Sequence, residues 1–141
     1  MIMERIAAGA QELCAALDLA ALPSDDLGEP GGAFFRFADG GETVGFGGLE
    51  RCGDDVLLRS IVIMPEARGK GLGRRAVSLL FEQARADGAR HAYLLTTDAA
   101  PFFARLGFEP IARQSAPADI LATRQAASLC PSTATLMARL L

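Results

Sequence analysis

The chain has 141 residues, about half of them hydrophobic, with 22% charged residues and a net charge of −3. One compact domain over residues 1–141 is expected at this length. The mild acidity argues against a surface-wide polyanion binder, so neither nucleic acid nor membrane is an expected partner, and any anion site has to be local. No apolar run approaches the ~20 residues of a membrane span, and the N-terminus lacks the basic start and continuous apolar core of an export signal.

"ERIAAGAQELCAALDLAAL" places Ile6, Ala10, Leu13 and Leu17 at helical spacing, which predicts an opening helix and leaves room for a short strand before it. "GEPGG" breaks the chain. "AFFRFA", "ETVGFGGLE" and "VLLRSIVIM" then read as a three-strand meander, with turns at 39–41 and 52–55. The third strand is nearly all apolar, as in the middle of a sheet; Arg59 is its one charge. After glycines 69–73 comes a helix whose stripe is Leu72, Ala76, Leu79, Leu80 and Ala84, stopped near Gly88. "RHAYLLTT" predicts a strand, "APFFARLGF" a short helix, "FEPIARQ" a short strand, "SAPADILATRQAAS" a helix and "STATLMARLL" a last strand. The order implies an α/β domain built on one mixed sheet.

Cys14, Cys52 and Cys130 are widely spaced and form no C-x-x-C pair, so no metal is expected, and their odd number fits a reducing cytoplasm. The informative stretch is "PEARGKGLGRR" at 65–75, glycines alternating with cations where a strand becomes a helix. Such a turn lets several backbone N–H groups meet one anion, and the helix N-terminus adds positive potential. Neither the P-loop pattern nor G-x-G-x-x-G fits, because Arg74 stands where the latter needs glycine. What fits is R-x-x-G-x-G, read as Arg68, Gly71 and Gly73.

With "FFARLGF" at 102–108 following the next strand, these motifs resemble those of the GNAT superfamily of acetyl-CoA-dependent N-acetyltransferases. The chain is also similar, through "AALPSDDL", "LLRSIVIMPEARGKGLGRR", "YLLTTDAAPFFARLGF" and "SLCPSTATLMARLL", to the small GNAT proteins associated with arsenic resistance and, through "LLTT" and "FFARLGF", to the acetyltransferase domain of N-acetylglutamate synthases. The resemblance implies a mostly antiparallel sheet splayed open in its middle, with helices on both faces. It implies an acetyltransfer to a small amino-acid-like or anionic acceptor, by a monomer or homodimer; a non-catalytic acyl-CoA sensor is the alternative.

It further implies site residues. Ile61, Val62 and Ile63 would meet the pantetheine arm, and the Ile63 backbone N–H would stabilise an oxyanion. Arg68, Gly69, Lys70, Gly71, Leu72, Gly73 and Arg74 would cradle the pyrophosphate. Phe102, Phe103 and Arg105 would line the CoA side. Phe103 stands where the family often has a tyrosine that protonates the departing thiolate. The only tyrosine, Tyr93, reads as structural.

Glu50, at a strand end, is the candidate base, while Asp98 reads as a helix cap. A lone guanidinium in a central strand needs a partner, so Arg59 is either in an internal ion pair or a clamp for an acceptor oxyanion. Ser60, Thr96, Thr97 and Arg124 are the residues expected to complete such an acceptor pocket, and Cys130 is a candidate contact for a soft arsenical.

Overall fold

The computed structural model describes all residues, 1–141. Seven strands form one sheet in the order β1-β2-β3-β4-β5-β7-β6. The strands are β1 Ile2–Ile6, β2 Gly32–Asp39, β3 Glu42–Cys52, β4 Asp55–Ile63, β5 His91–Thr96, β6 Glu109–Pro110 and β7 Thr135–Leu140. The helices are α1 Gln11–Leu19, α2 Leu72–Ala86, α3 Ala100–Ala104 and α4 Ala118–Leu121. Every strand pair is antiparallel except β4 with β5. The expected α/β architecture is therefore present, with an open, mostly antiparallel sheet.

Three expected elements differ, the first being "FEPIARQ", where only Glu109–Pro110 is strand and Arg113–Ser115 forms a 3-10 turn. Residues 4–6 belong to β1, which pairs with β2 from Ile2↔Ala38 to Ile6↔Phe34, so the first helix starts only at Gln11. Ladder hydrogen bonds to β2 outweigh the helical spacing of Ile6 and Ala10. The helix expected over 115–128 is broken: α4 ends at Leu121 and a π-helical turn covers Gln125–Leu129. Thr123 lies in the gap. Its hydroxyl donates to the Ile120 carbonyl and accepts from the Ala126 N–H, offering the backbone local partners that compete with a continuous helix.

Side-chain alternation along the strands gives the sheet two covered faces. Phe35, Phe37, Leu58, Leu94 and Met137 pack with Ala76, Val77, Leu80 and Phe81 of α2 and with Phe103 of α3. Their neighbours Phe34 and Phe46 face Leu13 and Leu17 of α1, and Leu57, Tyr93 and Leu136 face Ile120 of α4. Helices therefore lie on both faces, and Phe37, Val77, Leu80 and Met137 are fully buried between sheet and helix.

Two features of β4 create the site. First, it pairs with β5 only over Asp55–Leu57 against His91–Tyr93; beyond that point no ladder joins the two strands. The sheet is splayed there. Second, β4 carries one extra residue opposite β3, because the register passes from Gly48↔Arg59 to Phe46↔Val62. Ser60 lies in this bulge with φ +58, a conformation rare for a residue with a side chain. One extra residue reverses the faces beyond it. Leu57 packs on the α4 side, yet Val62 then packs beneath α1, while Ile61 and Ile63 turn to the α2 side.

Candidate active site

A cavity of about 500 Å³ fills the split between β4 and β5. Ser60, Ile61 and Ile63 line one wall and Leu95, Thr96 and Thr97 the other. It opens into a second cleft of about 560 Å³ at the start of α2, lined by Arg68, Gly69, Gly71, Arg74 and Arg105. Ile63, Gly73, Ala99 and Phe102 border both, so the two form one groove.

The second cleft is an anion cradle by construction. Gly71 precedes α2 with φ +74, and no side chain caps the helix. None of the backbone N–H groups from Gly69 to Arg74 has an acceptor within the chain. Unpaired helix-end donors carry the positive end of the helix dipole. Arg68, Lys70, Arg74 and Arg105 are exposed around them, and none pairs with a carboxylate. Lys70 does not line the cleft. At Gly73 a Cβ would lie 3.2 Å from the Phe102 ring and 3.7 Å from Ile63, so the glycine keeps the neck of the groove open.

On the strand side, Met64 donates its N–H to the Val44 carbonyl of β3. Alternate residues of a ladder face opposite ways, so the N–H and C=O of Ile63 face the split. The Ile63 carbonyl accepts a 3.0 Å bond from Arg68 Nε, which ties the cradle to the strand. Val62, by contrast, puts its side chain under α1 and contributes nothing to the groove wall.

Behind the Arg59 and Gln125 part of the cavity wall lies a buried charge cluster. Arg59 donates to both oxygens of Asp26 at 2.5 Å, to Glu50 at 3.3 Å and, through Nε, to Ser60 Oγ at 3.1 Å. Four of its five N–H groups are thus engaged within the protein. Gln125 donates to Asp26 and accepts from the Cys130 thiol.

Burial alone would raise the pKa of Asp26; its hydrogen bonds and charge pairing with Arg59 outweigh that and hold it below its ordinary value. Glu50 goes the other way, because burial raises it and Arg59 offsets only part of the rise. Burial likewise pushes the Cys130 thiol up, against the partial opposition of Arg113 and Arg59.

The remaining expected residues divide clearly. Arg59, Ser60, Thr96, Thr97, Phe102 and Phe103 reach the cavity wall. Glu50 lies behind Arg59 and not on the wall. Arg124 is outside, exposed and paired with Glu29 at 3.0 Å. Asp98 does not cap α3; the Thr96 hydroxyl accepts the Ala99 N–H instead, leaving Asp98 exposed on the wall. Tyr93 packs with Leu57, Ile120 and Leu136, away from the groove. Asp26 was not anticipated. Its only signal in the sequence is indirect: the unpaired look of Arg59 demands a carboxylate from somewhere.

An open α/β sheet, split beside a glycine-rich helix start, defines the fold and its groove. The acetyltransferase (GNAT) family profile matches residues 6–108, and the chain belongs to that family. It is 35% identical over 91 residues to the uncharacterized N-acetyltransferase YjgM of Escherichia coli (strain K12). That match covers 59% of this chain and 54% of the relative, about half its length.

Among solved structures, Rv2747 of Mycobacterium tuberculosis in complex with CoA superposes with TM-score 0.78 at 19% identity, over 100% of this chain and 99% of that one. N-acetylglutamate synthase of Neisseria gonorrhoeae, complexed with coenzyme A and N-acetyl-glutamate, gives 0.75 at 17% identity. It covers 100% of this chain and 35% of the synthase. At these identities the structural likeness concerns the fold.

Proposed function

We propose that this protein transfers the acetyl group of acetyl-CoA to a small primary amine. The observation that carries the reading is the continuous groove, which joins a ring of unpaired backbone N–H groups and arginines to a split sheet. A pyrophosphate fits the first part by charge and by donor number. An extended amide-bearing arm fits the second, where no ladder joins β4 to β5 and the Ile63 N–H faces the split. Rv2747 and the gonococcal synthase, similar in fold, are CoA complexes, which supports CoA as the donor's carrier.

In this reading the amine loses a proton, its nitrogen attacks the thioester carbonyl, and the CoA thiolate departs. Glu50 is the proton acceptor, reached from the cavity through water. Its raised pKa moves it toward the range in which a general base works best. The Ile63 N–H, facing the split, is placed to stabilise the carbonyl oxygen as charge develops. Phe103 offers no proton to the thiolate, so that step depends on water.

Arg59 orders Asp26 and Glu50 and has little capacity left to grip an acceptor anion. An arsenic connection would rest on Cys130, whose raised thiol pKa disfavours the reactive thiolate. Action in the cytoplasm suits the acetyl-CoA donor and the three free thiols. No helix is long and apolar enough to cross a membrane.

The test is thiol release from acetyl-CoA with a panel of amines, amino acids, phosphinic acids and organoarsenicals. Acceptor-dependent release with an amine supports the reading. CoA binding without release from any panel member would favour a CoA sensor.

A further inference from the structure

One part of the cavity wall is formed by Leu22 and Pro23 from the loop after α1, and by Leu129, Pro131 and Ala134 before β7. These five side chains are apolar, and the neutral donors elsewhere on the wall, Ser60, Thr96, Thr97 and Gln125, bring no charge to set against a carboxylate. The charges around them sum to a negative site. Arg59 is shared between two carboxylates, Asp26 and Glu50. Asp98 stands on the wall and pairs with no cation. Two other cations of this region are committed elsewhere. Arg113 turns its guanidinium to the carbonyls of Ala126, Pro131 and Ala134, and Arg124 is held outside by Glu29.

We propose that the acceptor is a small amine with an apolar tail and no carboxylate, drawn in as its ammonium ion. An ammonium group is attracted by the surplus negative charge, and the tail is covered by the apolar wall. An amino acid with the same tail would bring its carboxylate toward Asp98 and toward Arg59, whose charge is already outweighed by Asp26 and Glu50 behind it. Desolvating that carboxylate without a partner is unfavourable. This inference rests on the acetyltransfer reading and narrows it: the anionic acceptor expected from the sequence is replaced by a cationic one.

The test separates the two claims. In mildly alkaline buffer, 3-methylbutylamine and leucine are titrated calorimetrically into the protein saturated with CoA, as are 2-phenylethylamine and phenylalanine. Each amine is expected to bind at least about tenfold more tightly than the amino acid with the same tail. Equal or tighter binding of the amino acids overturns the inference, as does absence of binding by both amines. Pro131→Arg places a cation at an exposed point of the wall and is expected to shift the preference toward leucine. An unshifted preference in this folded variant would mean that the acceptor lies elsewhere.

Thiol release is followed in parallel. Amine binding without release keeps the acceptor class and removes acetyltransfer. Release with amino acids but not amines keeps acetyltransfer and removes the acceptor class.

Discussion

At the scale of single residues, the buried cluster of Asp26, Arg59 and Glu50 joins stability to chemistry. The side chains of Asp26 and Arg59 are almost wholly inaccessible. Asp26→Asn leaves a buried guanidinium with Glu50, at 3.3 Å, as its one carboxylate partner, and a loss of about 3–5 kcal/mol in urea unfolding is expected. Asp26 is held below its ordinary pKa, so its contribution is present above the usual aspartate range. It fades as pH falls below that range, and the Asp26→Asn variant should show a weaker acid limb than wild type.

Glu50 has the opposite sign. Its raised pKa, set mainly by burial, means that ionising Glu50 costs more in the folded than in the unfolded state, so its charge at neutral pH lowers stability. Glu50→Gln should therefore melt at the same temperature or higher near neutral pH while losing roughly 10²-fold in turnover. A destabilised variant with full turnover would show that Glu50 is only an ion-pair partner. Phe103 packs edge-on against Phe102 and Phe108, with ring centroids 5.0 and 5.8 Å away, and borders the cavity. Phe103→Tyr is expected to raise kcat by giving the thiolate a proton donor; an unchanged kcat at saturating acceptor would place the slow step elsewhere.

At the scale of elements, the bulge in β4 sets which side chains face the groove. Ser60 occupies a left-handed conformation there, and its hydroxyl accepts from Arg59. A β-branched residue fits that conformation poorly, so Ser60→Val should destabilise by about 1–3 kcal/mol, read by thermal melting. It should also weaken acceptor use more than CoA binding.

The meander, α2, β5 and both motifs were readable from the sequence because their spacing and turn residues agree with their final environment. Val77 and Phe81 join the buried face of α2, whereas Leu79 is only half-buried. Other elements were not readable. Residues 2–6 become a strand only because β2 lies beside them, and "ATRQAAS" is bent by Thr123. The bulge at Ser60 leaves no mark in a run of apolar residues. Nor does local sequence reveal that Asp26 and Gln125, 99 residues apart, meet across Arg59.

At the scale of the whole molecule, the split sheet and the start of α2 work as one binding groove, and loss of either half should remove the donor. Gly71 is the point where a small change separates function from folding. A Cβ there meets nothing within 4 Å, so a side chain fits sterically, at the modest cost of its positive φ. A glutamate at that position would put negative charge among the N–H groups and arginines that receive the pyrophosphate. The most direct test is calorimetric titration of CoA into wild type and Gly71→Glu, with folding of both verified by circular dichroism and melting. The wild type is expected to bind one CoA per chain, and the folded variant to lose at least about tenfold in affinity. Equal affinity in the two folded proteins would contradict the assignment of the groove.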